Sequence, residues 1–248
     1  MGKTHKALER AEREFGEHRR RDPLPIAPNK PRPSSLLTVE SQALLREYEE
    51  LKANFLTRYS DGSVKTILFT GMRPGGGVTT TAFNFATILA RDSDRKVLLI
   101  DSNLRTPPPE HVFKANHDFS LVSILRNNDN EVYPIELDRG GLQILPGGGM
   151  PAEPLTFFQS QAFRQFLDTM RERFDFVVLD APPVHSFSEC LLLSKMVDGV
   201  VLVLQSEKVR RRIASRAKQQ IENAGGRIIG VVLNRTKHYI PEWLYRRL

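Results

Sequence analysis

The chain has 248 residues, 40% hydrophobic and 26% charged, with a formal net charge of +7. That is enough length for one α/β domain plus an arm, and the composition is that of a folded protein rather than a disordered one. No apolar run reaches the roughly 20 residues a membrane helix requires, and the polar start Met1–Lys6 leads into no apolar stretch, so neither a span nor a secretory signal is expected.

Cys190 is the sole cysteine, which excludes an internal disulfide and a site of paired thiolates and fits a reducing cytoplasm. It lies in the run Cys190–Leu193 and reads as a small core residue. Positive charge gathers late: from Gln205 onward eleven Lys or Arg face three acids, a solvated helix face or a surface for anionic membrane or nucleic acid.

In chain order, Thr4 to Glu17 reads as a short charged helix, and five prolines between Asp22 and Pro33 make an extended tether. Residues 1–37 are therefore expected to be an arm and linker, and 38–248 the folded domain. Thr38 to Arg58 predicts a helix, with Leu44, Leu45, Tyr48, Leu51 and Phe55 at helical spacing. After Asp61-Gly62, short apolar runs at 67–69, 97–100, 142–145, 176–179, 200–204 and 228–233 read as strands covered on both faces. Helical stretches at 79–91, 161–173, 187–197 and 209–224 separate many of them. That alternation predicts a three-layer α/β fold with a mostly parallel central sheet, which the loop described next makes P-loop NTPase-like. Ligands of such sheets gather at the carboxyl ends of the strands.

At the end of the first strand comes Gly71-Met72-Arg73-Pro74-Gly75-Gly76-Gly77-Val78-Thr79-Thr80, opening a helix. Glycines let backbone N–H groups turn toward phosphate, and the helix N-terminus adds a favourable dipole. The usual ending is Gly-Lys-Ser/Thr, the lysine on the β/γ-phosphates and the hydroxyl on Mg²⁺. The stretch Thr79-Thr80-Thr81-Ala82-Phe83-Asn84 sets the register and puts Val78 at the lysine position, leaving Arg73 as the candidate substitute charge. The nucleotide-binding set is thus Gly71, Arg73, Gly75, Gly76, Gly77, Val78, Thr79 and Thr80, with ATP and Mg²⁺ the expected cofactors. Asp101 and Asp180 each leave a buried strand at the same edge, suited with Thr79 to hold Mg²⁺ or its waters; each alone also reads as a turn-forming aspartate.

These residues resemble the cytoplasmic tyrosine-kinase domain of bacterial capsule and exopolysaccharide systems, over roughly residues 38 to 248. The resemblance runs through Asp101-Ser102-Asn103-Leu104-Arg105-Thr106-Pro107, Asp180-Ala181-Pro182-Pro183, the Pro/Gly loop Leu145 to Leu155, Val197-Asp198-Gly199-Val200 and Gly230 to Arg235. It implies Asp101, Asn103 and Arg105 as the catalytic set. It also implies work at the cytoplasmic face of the membrane beside a chain-length determinant (a polysaccharide co-polymerase), with no nucleic-acid partner.

Two departures bear on chemistry: Val78 for the lysine, and Asn103 for the family's second aspartate. Phosphoryl transfer depends on positioning and electrostatics, and losing one preorganised donor costs about 10²–10³ in rate elsewhere. In place of the family's terminal tyrosine cluster stand Tyr239 and Tyr245, interleaved with apolar and basic residues. The family's ring-forming Glu-x-x-Arg-x-x-Arg appears as Arg46, Glu49 and Lys52, its first two charges reversed, so a homo- or hetero-oligomer contact there needs a different partner surface. Three expectations follow: a catalytically impaired, pseudokinase-like adaptor; an autokinase using Arg73; and a Min/Par-type positioning ATPase. The first is favoured, and a single cysteine argues against an iron–sulfur ATPase.

Overall fold

The structure, a computed structural model, describes residues 42–92, 95–106, 120–127, 135–136, 141–206, 209 and 211–235. The expected helix at 4–17, the tether at 22–33, the boundary at 37/38 and the tyrosines beyond 235 lie outside these residues.

Among the described residues seven strands form one sheet: β1 (Thr66–Gly71), β2 (Val97–Asp101), β3 (Ile135–Glu136), β4 (Leu142–Leu145), β5 (Phe176–Asp180), β6 (Gly199–Gln205) and β7 (Ile228–Asn234). Their order is β3-β4-β2-β5-β1-β6-β7, with every neighbouring pair parallel except the short edge pair β3–β4. The expected strands all form, most gaining a residue or two at their ends. β3 was not legible: a two-residue strand carries no periodicity.

Side chains alternate between the two faces of the sheet, as a pleat requires. Leu68, Leu98, Ile100, Val177, Leu179 and Leu202 enter one apolar core, while Ile67, Phe69, Val97, Leu99, Val178 and Val203 enter the other. Helices α1 (Gln42–Arg58) and α2 (Val78–Ala90) contribute to the second core. Helices α3 (Leu121–Asn127), α4 (Pro154–Gln159), α5 (Gln161–Arg173), α6 (Ser188–Ser194) and α7 (Arg211–Asn223) contribute to the first. The result is the expected three-layer arrangement.

Local chemistry explains the elements. Ser160 caps α5 by accepting from the Phe163 amide at 3.1 Å, and Phe163, Phe166, Leu167 and Met170 then fall on one buried face. On α1, Phe55 packs edge-on to Phe85 at 5.5 Å and to Phe176 at 5.7 Å, fastening the helix to the sheet. Helix α7 buries only Ala217 and Ile221, so its other faces remain polar and basic.

A polar knot closes the end of the sheet where β1 begins. The Asp198 carboxylate accepts from the amides of Lys65 and Thr66 and from the Thr66 hydroxyl, at 2.7–3.0 Å. Arg171 from α5 bonds Asp198 at 3.2 Å and the Met196 carbonyl at 2.8 Å. Burial alone would raise the Asp198 carboxyl, but the Thr66 and Lys65 donors and the Arg171 charge hold it below its ordinary range.

Candidate functional site

Strand β1 ends at Gly71, and the loop to α2 turns on Gly75 (φ 74°) and Gly77 (φ 85°), a left-handed backbone that glycine adopts without strain. Gly77 caps α2 without a side chain, and its carbonyl accepts the Thr81 amide at 2.9 Å. Val78 is therefore the first residue of the helix. Its side chain is 9% exposed within the apolar core of α1 and α2, and a Cβ on Gly71 would come within 2.7 Å of it. The loop turns on two left-handed glycines into the helix N-terminus, and the residue that opens the helix, Val78, is apolar and buried.

Asp101 and Asp180 face each other in register at the ends of β2 and β5. Thr79 donates to Asp180 Oδ2 at 2.6 Å, while Asp180 Oδ1 is buried with no partner among the described residues. Asp101 accepts from the Asn103 amide at 3.1 Å and from the Gly147 amide. Burial pushes Asp101 up to about 6; burial and the Asp101 charge push Asp180 up to about 8. Asn103 likewise buries an unpartnered Oδ1. Two buried carboxylates, a hydroxyl and orphaned acceptor oxygens are the hard-oxygen donors that Mg²⁺ takes, so Thr79, Asp101 and Asp180 fit the cation.

The structure thus brings together Thr79, Asp101, Asn103 and Asp180. Arg105 is engaged elsewhere: its Nε and one terminal nitrogen donate to Glu189 Oε1 at 3.0 and 2.6 Å, with its guanidinium 4.8 Å from the Phe187 ring centre. Glu189 is 4% exposed at its side chain, so this pair links the Asp101 loop to α6. Arg73 is exposed and lines a cavity with His185 and one face of α7. On α1, Arg46 is exposed, whereas Lys52 pairs with Glu49 at 2.8 Å and Asp92 at 3.2 Å within the chain.

Sequence reasoning missed three residues. Asn234, at the end of β7, donates from Nδ2 to the Gly76 carbonyl at 3.0 Å, and a Cβ on Gly77 would run into that amide. Glu189 neutralises Arg105, and Gly147 supplies an amide to Asp101. The first two lie 158 and 84 residues from their partners, so no local pattern announces them. The Pro/Gly loop carried the third, whose role shows only once that loop folds against Asp101. Cys190 is buried as expected, donates to Thr70 Oγ1 at 3.1 Å, and has its thiol pushed up to about 12 by burial.

A glycine-rich strand-to-helix loop facing two strand-end aspartates on a parallel sheet defines a P-loop protein. The family described as AAA domain matches residues 64–223. Tyrosine-protein kinase YwqD of Bacillus subtilis is 27% identical over 192 residues, covering 77% of this chain and 81% of its own. The crystal structure of the chimerical protein CapA2B2 superposes with a TM-score of 0.73 at 30% identity, covering 82% of this chain and 91% of that one. The cell-division ATPase MinD of Pyrococcus furiosus, at 21% identity and a TM-score of 0.57 over 74% of this chain and 78% of its own, shares the fold. The chain belongs to the AAA-domain family, and the curated relatives it resembles are bacterial tyrosine-protein kinases.

Proposed function

We propose that this chain is a kinase-fold regulator with impaired phosphoryl transfer, serving as adaptor to a membrane chain-length determinant in capsule or exopolysaccharide assembly, at the cytoplasmic face. The observation that carries this reading is Val78. The first turn of α2 presents a buried isopropyl group where the family places the one side-chain cation of the loop. Asn103 removes a second ionised group beside Asp101. Losing one preorganised electrostatic group costs about 10²–10³ in rate elsewhere, and two losses in one site leave little turnover.

In this reading Gly71, Gly75, Gly76, Gly77, Thr79 and Thr80 receive the phosphates of ATP, and Thr79, Asp101 and Asp180 hold Mg²⁺. When bound, the ion supplies charge neutralisation on the phosphates. Arg105, matched by Glu189, orders the Asp101 loop. Oligomeric contact through α1 rests on Arg46, because Glu49 and Lys52 are already paired internally.

The intact Thr79–Asp101–Asp180 set favours a second reading, an autokinase in which Arg73 replaces the lysine. Incubation of the full chain with γ-labelled ATP and Mg²⁺ separates the two. The adaptor reading expects little or no tyrosine label. Strong labelling, abolished by Asp101→Ala and by Asp180→Ala, establishes the autokinase instead. Co-purification from detergent extracts checks the membrane partner: recovery with DNA, or solely as a free monomer, counts against it.

A further inference from the structure

Between the start of the glycine-rich loop and α7 lies a cavity of about 860 Å³. Its walls carry three guanidinium groups, from Arg73 of the loop and from Arg212 and Arg216 of α7. His185, from the segment after Asp180, and Ser215, Gln219 and Gln220 complete the polar lining, with Ile213 beside them. Residues 212, 215, 216 and 219 share one face of α7 by helical spacing, opposite the buried pair Ala217 and Ile221. Of the loop, Arg73 reaches this cavity, while Gly76, Gly77, Thr79 and Asp180 do not line it.

The charges here are unmatched. Arg95, Arg105 and Arg171 each pair with a carboxylate, but among the described residues none does so with Arg73, Arg212 or Arg216. On the same wall Gln220 buries an Oε1 with no hydrogen-bond partner among the described residues. Three cations that line one cavity repel one another, and a bound anion would relieve that repulsion. A guanidinium's planar fork suits phosphate oxygens, which it meets with two parallel hydrogen bonds. The volume falls within the range of about 300–1,000 Å³ of small-molecule sites, and the three guanidinium groups favour a ligand with an anionic head.

We propose that this cavity is a second anion site, beside the glycine loop and sharing Arg73 with it, that takes a small molecule bearing a diphosphate or comparable polyanionic group. Arg212 and Arg216 hold the anion from α7, and Arg73 closes it from the loop side, so that occupancy reaches the loop through one side chain.

The test is calorimetric titration of the full chain with inorganic pyrophosphate at fixed ionic strength. Saturable binding is expected. The double change Arg212→Gln with Arg216→Gln should weaken it by about tenfold or more, as loss of two charge-assisted contacts requires. Gly77→Ala, which distorts the glycine loop, and Lys218→Gln, which removes a cation paired with Glu222 on the same helix, should leave affinity within about threefold, the scale of a screened surface charge. Three results overturn the proposal. One is absence of binding by the natural chain. A second is loss of binding in Gly77→Ala with retention in the double variant, which assigns the anion to the loop. The third is equal weakening by Lys218→Gln, which reduces the site to general basic charge. Circular dichroism melts of each variant exclude misfolding as the cause.

Discussion

Replacing Val78 by lysine tests whether the loop still has phosphate-binding geometry. Val78 starts α2, directly after the left-handed turn at Gly75 and Gly77, at the helix N-terminus whose dipole favours anions. A lysine there runs its methylenes along the apolar pocket beside Gly71 and brings its ammonium to the loop mouth. A hydrogen bond to a charged group contributes about 1.5–3 kcal/mol, so Mg²⁺-ATP should bind roughly 10- to 100-fold more tightly. The cost falls on stability: partial loss of a buried valine's apolar contacts amounts to about 1 kcal/mol, which leaves a domain of this size folded. Calorimetry with ATP and Mg²⁺ on both proteins reads the affinity, and urea unfolding reads the cost. Arg73→Ala should weaken the natural chain's ATP binding under the same conditions. A folded Val78→Lys protein with unchanged affinity, together with an Arg73→Ala protein that matches the natural chain, would refute the reasoning and show that the loop no longer receives phosphate.

Further outcomes follow from the carboxylates and the Arg105 pair. Asp101 and Asp180 hold protons in the folded chain up to about pH 6 and about pH 8, well above their unfolded range, so the ligand-free protein should lose stability as pH rises through that window. Mg²⁺ binds the ionised form, so the melting-point gain on adding Mg²⁺ should be larger at pH 8 than at pH 6, and a gain independent of pH would contradict the assignment. Asp180→Asn should abolish the Mg²⁺ response while raising the metal-free melting point at pH 8, as differential scanning calorimetry would report. Glu189→Gln should cost about 1–3 kcal/mol in urea unfolding through the lost charge-assisted contact with Arg105. An unchanged midpoint would mean that Arg105 is held by the Phe187 ring alone.

The sheet was legible because buried parallel strands are written as unbroken apolar runs, and β1, fully buried, is the plainest case. The loop was legible for a different reason: glycines, hydroxyls and a following largely apolar helix occur together for few other purposes. Helices α3 and α4 left no comparable trace, at seven and six residues too short for helical periodicity to stand out. At the site, Thr79, Asp101 and Asp180 could be placed because strand ends converge on one edge of a parallel sheet. The direction a side chain takes on leaving the backbone could not be read. Arg105 turns to Glu189, a partner that only the folded chain supplies, and Arg73 leaves the loop toward the α7 cavity.

The Asp198–Arg171–Thr66 knot sits at the rim of the sheet opposite the glycine loop. It binds β1, the turn before β6 and the end of α5 with groups that play no part at the nucleotide edge. Decay of chemistry at one rim therefore leaves the anchorage at the other untouched. A lineage can exchange a lysine for valine or an aspartate for asparagine without first acquiring compensating stability. Substitutions at the loop are thereby separable from the stability of the sheet.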